Sequence, residues 1–267
     1  MYQLPQLAKV QGLVHGFSTH EEGNQGFRSK RNQPEDRAPK GQVIQNRGRL
    51  LRSVASAFQI GNGIGMCVLE PGFEETILKV DASRGGDGMR EADSGPKCEA
   101  MITTSCVRPL GFGSEGGYLF LPVADCIPII LYDPVARVLG LVHGSRESTV
   151  RKIAAKTVRL MAQHFGARPL RMVAGLGPGI RTYDLEWFEP PADDKKEWQQ
   201  FLTIVEGGRR VRVDLFGFNV HLLKTVGIPE NQIEASPVDT FVDDRFFSHR
   251  AGRKGRFACA VGMVPIE

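Results

Sequence analysis

No two of the five cysteines (67, 98, 106, 126 and 259) form a C-x-x-C pair, and an odd number cannot all pair with one another. Irregular spacing of this kind argues for a reducing compartment rather than a disulfide framework, so the cytoplasm is the expected location. The opening MYQLPQLAKVQGLVHGF has no charged leader followed by an apolar core, and no signal peptide is read there. No apolar run is long enough to cross a membrane, since the longest is broken by Pro122, Asp125 and Pro128. Excess charge is scarce too: a formal net charge of +4 does not by itself argue for a nucleic-acid or membrane partner. Repeats, heptads and linkers are absent, and residues 1–267 read as one domain. Gly111 to Gly116 matches G-x-G-x-x-G, but a strand pattern follows where a dinucleotide site needs a helix. That stretch is read as a turn.

What remains is an ordinary globular composition, 41% apolar and 24% charged, with ample length for a core. The chain is organised around Leu119 to Gly144, LFLPVADCIPIILYDPVARVLGLVHG. Two short runs rich in Ile, Leu and Val flank Asp133-Pro134-Val135-Ala136, a turn with Asp first and Pro second. The pair reads as a buried β-hairpin. A turn symmetric about Pro134 and Val135 sets Cys126 directly opposite His143, with Cα atoms about 4.5–5.5 Å apart. From there a thiol and an imidazole can grip one zinc, or the His can deprotonate the Cys. An inert buried Cys and a satisfied strand-end His are the bland alternative. Asp125 precedes the Cys and points to the other face.

Around the hairpin the chain alternates strands and helices. Leu13 to Ser18 reads as a first strand, and Arg28 to Gly41 as an exposed charged loop carrying Arg28, Lys30, Arg31, Arg37 and Lys40. This loop is a solvated segment or, on a functional reading, a lid for an anionic substrate. A helix follows, with Asn46 as N-cap, Leu50, Leu51, Val54, Ala55 and Phe58 at helical spacing, and Gly61 at its end. Arg47 in its first turn opposes the helix dipole, which makes it a candidate anion binder. Met66 to Val80 holds two short extended pieces, Asp81 to Lys97 a Gly-rich loop, and Glu99 to Thr104 a brief strand. Beyond the hairpin, Ser148 or Thr149 caps a helix running to Phe165, with Gly166 just past it. Leu170 to Gly175 is a strand ending in Gly175-Leu176-Gly177-Pro178-Gly179, a loop suited to close backbone approach. Trp187 to Gln200 is amphipathic and acid-rich. Strands are read at Arg209 to Leu215, Ile233 to Val238 and Phe257 to Val264, with a helix capped by Asp214 that stops at Gly227. Asp243 to Arg250 (DDRFFSHR) is a dense polar and aromatic loop.

These pieces, in this order, resemble the YfiH or laccase-domain family, also called multicopper polyphenol oxidoreductase-like proteins and linked to purine nucleoside phosphorylases. The resemblance covers nearly the whole chain. It rests on HGFST at His15 to Thr19, Asn46-Arg47, ADC-x-P at Ala124 to Pro128, Asp133-Pro134 and the strand ending in His143. It continues through GPGI at Gly177 to Ile180, VDL at Val213 to Leu215, FFSHR at Phe246 to Arg250 and Gly255-Arg256. It implies an α+β fold, a single-domain sandwich of mixed β-sheets flanked by helices, and a zinc held by His, Cys and His, of which the last two match Cys126 and His143. The chain departs from the family in three places. The Q-x-H-G motif with the first zinc ligand aligns with Leu69-Glu70-Pro71-Gly72, so Pro71 stands at a ligand position, and no His lies between His20 and His143. A-G-W-R-G after the second His is replaced by Gly144-Ser145-Arg146-Glu147-Ser148, and the late C-T by Asp239-Thr240. Six His with no H-x-H pair do not suit a copper cluster.

Three functions are consistent with these residues. The first is a zinc-dependent purine nucleoside phosphorylase acting on adenosine or inosine with phosphate. In it Cys126 and His143 hold the metal, Asp125 either supports those ligands from behind or carries a proton, and Asn46, Arg47, His249 and Arg250 meet the substrate, with Glu70 or His249 as a substitute third ligand. The second is a metal-free cysteine hydrolase or amidase with Cys126 as nucleophile, His143 as base and Asp125 or another carboxylate orienting the base. The third is a paralogue that kept the fold and lost the chemistry. Oligomeric state is not legible.

Overall fold

The computed structural model describes residues 1–27, 38–57, 66–71, 75–84, 87–91, 94–107, 117–181, 184–185 and 188–266. In chain order the elements are β1 (Leu13–Phe17), α1 (Lys40–Ala57), β2 (Met66–Val68), β3 (Ile77–Lys79), β4 (Ala100–Thr103) and β5 (Tyr118–Val123). Then come β6 (Ile127–Asp133), β7 (Val138–Gly144), α2 (Arg146–Val150), α3 (Ile153–Phe165), β8 (Val173–Leu176) and β9 (Asp184–Leu185). The last are α4 (Lys195–Trp198), β10 (Leu202–Val205), β11 (Arg210–Val213), α5 (Leu215–Thr225), β12 (Ile233–Ala235) and β13 (Phe257–Met263). Most of the expected lid, the expected helix end at Phe58 to Gly61, and the Gly111 to Gly116 turn lie outside the described residues.

Strand alternation builds the layers. Along β6, Ile127, Ile129 and Leu131 face one side, packing with Val138 and Val142 of β7 and with Ile153, Val158 and Met161 of α3. Ile130 and Tyr132 face the other side with Leu139 and Leu141, against Leu119, Leu121, Phe257 and Cys259. Those last four belong to a four-stranded sheet ordered β1-β13-β5-β2, and the hairpin to a six-stranded sheet ordered β12-β8-β6-β7-β4-β3. The two sheets share that core face to face. Outside the four-stranded sheet, Leu50, Leu51 and Val54 of α1 pack on Val14, Phe120 and Ala260. A three-stranded sheet, β10-β11-β9, sits with Trp198 stacked on Phe218 at 3.6 Å between ring centroids. The fold is therefore the α+β sandwich of mixed sheets flanked by helices that the sequence led us to expect. Among the described residues no helix is long and apolar enough to cross a membrane.

Several local expectations are corrected. The hairpin pairs Asp133 with Val138 and Pro128 with His143, so Cys126 is not directly opposite His143. The cause is a four-residue loop, 134–137, closed by Arg137 at φ 55°. Because this register differs from the symmetric one by two residues on the pleat, the facing of every side chain survives. Helix α1 begins at Lys40, so Asn46 is not an N-cap and Arg47 lies in mid-helix. The cap after β7 is Ser145, whose side chain accepts from Ser148 N. The helix expected from there is split, since Lys152 adopts a left-handed conformation at φ 57° before α3. The strand expected from Leu170 begins only at Val173, after a short turn of 3₁₀ helix. Gly166, Asp214 and Gly227 end or cap their helices as expected.

Asp133 holds the hairpin turn. Its Oδ1 accepts from Val135 N at 2.9 Å and Ala136 N at 3.0 Å, and its Oδ2 from Arg168 N at 2.7 Å and Arg171 Nη2 at 3.0 Å. Each such bond is worth about 1 kcal/mol net. Asp133→Ala is therefore expected to lower the melting temperature by roughly 5–10 °C in a chain of this size. Asp133→Asn should recover part of that loss, and an unchanged melting curve for the alanine variant would show the carboxylate to be idle.

Candidate functional site

The pairing of β4 with β7 places Ala100 opposite Val142, and His143 N donates to Glu99 O at 2.9 Å. Glu99 thus lies beside His143, and both side chains fall on the face shared with Met101, Leu139 and Leu141. Their side chains meet there: Glu99 Oε2 lies 2.8 Å from His143 Nδ1, with both residues buried. The imidazole's other partner is the Cys126 thiol, which hydrogen-bonds it from the residue just before β6. A half-buried thiol, an imidazole and a buried carboxylate therefore form one chain at the inter-sheet end of the hairpin. Ser148, through its hydroxyl, donates to the His143 carbonyl and fixes the start of α2 against the end of β7.

The electrostatics follow from this geometry. Burial by itself lowers the His143 pKa, but charge and hydrogen bonding from Cys126 and from Glu99 outweigh it and raise it to about 10. The ring is pushed towards its protonated form, with the Cys126 sulfur and the Glu99 carboxylate as its two partners. That arrangement suits either a proton donor or the partner of a thiolate. Glu99 escaped the sequence reading because it meets His143 only through pairing of strands distant in the chain. The available signal was an acid placed immediately before the short apolar run Ala100-Met101-Ile102 that opens β4.

Asp125 leaves the strand in a left-handed bend at φ 77°. Its Oδ1 accepts from Thr240 Oγ1 at 3.0 Å and Ser248 Oγ at 2.6 Å, and its Oδ2 from Arg250 N at 2.9 Å. The FFSHR loop is thus tied beside Cys126, with His249 and Arg250 exposed.

Asn46 and Arg47 sit apart from a helix start and are engaged with backbone. Asn46 Nδ2 donates to Asn24 O at 2.8 Å. Arg47, 2% exposed, donates from Nε to Gln25 O at 2.9 Å and from Nη1 to Gly88 O at 2.6 Å and Met89 O at 3.2 Å. Its guanidinium lies over the Phe27 ring, 4.2 Å from the centroid. Burial drops its pKa to about 9, opposed by the charge of Glu70. Glu70 Oε1 also accepts from Gly95 N at 3.0 Å.

A catalytic zinc takes three protein ligands and a water. Among the described residues, which include every His and Cys of the chain, no group of three or more His, Cys, Asp or Glu side chains gathers as a metal needs. Cys126 and His143 offer two donors, Pro71 offers none, and Nδ1 of His143 already faces Glu99. The donor set does not fit the family's zinc.

Known proteins place the chain. It is 34% identical over 156 residues to a purine nucleoside phosphorylase of Deinococcus radiodurans, a match covering 58% of this chain and 60% of that protein. It is 27% identical over 202 residues to the purine nucleoside phosphorylase YlmD of Bacillus subtilis, covering 71% and 68% respectively. The chain thus spans about three fifths of the first of these relatives. The crystal structure of YlmD from Geobacillus stearothermophilus superposes with a TM-score of 0.77 at 23% identity, over 95% of this chain and 93% of that one. That of the Bacillus licheniformis hypothetical protein YfiH gives 0.74 at 25%, over 94% and 92%. A family model described as multi-copper polyphenol oxidoreductase laccase matches residues 15–264, and the chain belongs to that family.

Proposed function

We propose that this chain cleaves the N-glycosidic bond of purine nucleosides such as adenosine and inosine with phosphate, at a site centred on Cys126, His143 and Glu99. Relatives that carry the name purine nucleoside phosphorylase support the reaction class. The observation that carries the reading to this site is the raised pKa of His143, whose ring lies between the Cys126 sulfur and the buried Glu99 carboxylate. In phosphorolysis a phosphate oxygen bonds to C1′ while the C1′–N9 bond breaks with its electrons on the base. The leaving purine must then gain a proton. His143 is the group here that keeps one at neutral pH, and the exposed Arg250 and His249 are the loop side chains offered to the substrate.

The same three side chains favour a second reading. A thiol on an imidazole that is in turn oriented by a carboxylate is the arrangement of a cysteine nucleophile with its base. One assay separates them: purified protein with adenosine or inosine, with and without inorganic phosphate. Free base and ribose 1-phosphate formed only with phosphate, and lost at least a hundredfold in Cys126→Ser, are the expected result. Base release independent of phosphate would make the activity nucleoside hydrolysis, and no product under either condition would leave a cysteine hydrolase of other substrates or a fold that has lost its chemistry.

Zinc enters no step of this scheme. The protein is expected to purify with well under one zinc per chain, and Pro71→His to raise that content. One zinc per chain in the unmodified protein would overturn the two-donor reading.

A further inference from the structure

We infer that Asp125, Thr240 and Ser248 form a positioning unit that fixes Cys126 against His143, and that Asp125 acts through the backbone instead of carrying a proton. The inference rests on the reading that Cys126 and His143 are the reacting centre. Asp125 is one of three described non-glycine residues at positive φ, a conformation that L-residues avoid. Cys126 is the next residue, so relaxation of the Asp125 backbone would swing the thiol away from the imidazole.

Two segments prevent that relaxation. On one side Ile180 N donates to Asp125 O at 2.8 Å, and the GPGI loop packs so closely that a Cβ on Gly179 would lie 2.9 Å from Ile127 Cγ1 and 3.2 Å from Asp125 O. On the other side, fully buried Thr240 and Ser248 donate to Oδ1, and Arg250 N donates to Oδ2. Thr240 N in turn donates to Gly179 O at 3.1 Å, so the two segments brace each other. A carboxylate receiving three donors, two of them from solvent-free hydroxyls, is committed to holding its own backbone. Nothing in this arrangement turns it towards a substrate proton.

The test uses the whole chain and two readouts. One is the rate at which iodoacetamide alkylates Cys126, followed on its own peptide by mass spectrometry. The other is kcat and KM for phosphate-dependent base release. Asp125→Ala and Thr240→Val are expected to change the alkylation rate at least threefold and to lower kcat at least tenfold, with KM held within threefold. Asp125→Asn, which tolerates the left-handed bend and still accepts from both hydroxyls through Oδ1 but loses the bond from Arg250 N, should recover part of both readouts, and Thr240→Ser most of both. Overturning results are an asparagine variant as inactive as the alanine one with normal alkylation, which marks a proton carrier, or alkylation unchanged throughout. If the unmodified protein releases no base, the reaction reading fails while alkylation still decides the positioning.

Discussion

Glu99→Ala is expected to unfold or severely destabilise the chain, by about 3–5 kcal/mol, because it leaves the buried Nδ1 of His143 without its carboxylate partner. Glu99→Gln keeps the shape and an acceptor for Nδ1 and isolates the charge. It should lose less stability, but its phosphorolysis kcat should fall at least tenfold as the His143 proton becomes easier to lose. The same group sets a pH dependence. Its pKa is raised in the folded chain, from 6.5 to about 10, so the stability it contributes is fully present below about pH 6.5 and fades as pH rises through about 10. Chemical denaturation between pH 6 and 10 should therefore show a decline in the unmodified protein that is flatter in Glu99→Gln, where the share due to Cys126 remains. Equal slopes in the two proteins would mean that Glu99 does not hold the proton on His143.

Arg47→Ala should also be costly to the fold, not just to ligand binding. Nε and Nη1 satisfy the carbonyls of Gln25, Gly88 and Met89 from a position only 2% exposed, tying two loop segments to the middle of α1. Removing it leaves those carbonyls short of a donor and opens a cavity beneath the Phe27 and Phe120 rings. A loss of about 3–5 kcal/mol, or roughly 10 °C in melting temperature, is expected. Arg47→Lys keeps the charge but cannot reproduce the planar fork, and should recover less than half. A normally folded alanine variant that had lost only phosphate affinity would instead make Arg47 an anion binder and nothing more.

The contrast between these two residues shows what the sequence could tell. Periodicity of two along β6 and β7 made the shared face of Cys126 and His143 readable, since a register error of an even number leaves facing intact. The register itself was not readable, because it depends on Arg137 entering a left-handed conformation that an Asp-Pro-Val-Ala-Arg string does not announce. The start of α1 was hidden because its first turn, Lys40 to Gln42, is polar and includes Gly41, and Asn46 looked like a cap for the leucines that follow. Glu99, Thr240 and Ser248 were missed for a different reason. Each reaches the site by long-range packing, and a single chain of letters carries no distance between residues 99, 125, 143, 240 and 248.

The placement of β13 bears on how the molecule is made. It lies between β1 and β5, with Leu13 opposite Met263 and Phe257 opposite Val123. During synthesis β1 emerges well before β13 and must wait, without its neighbour, until all the strands and helices between the two have been made. Until then β1 and one side of β5 present unpaired, apolar strand edges, the kind of surface that seeds association between nascent chains. Pairing across such a separation also slows folding, because so much loop must be closed first. Yield on expression is therefore expected to respond to temperature and chaperone supply through this one strand, whatever the chemistry of the site.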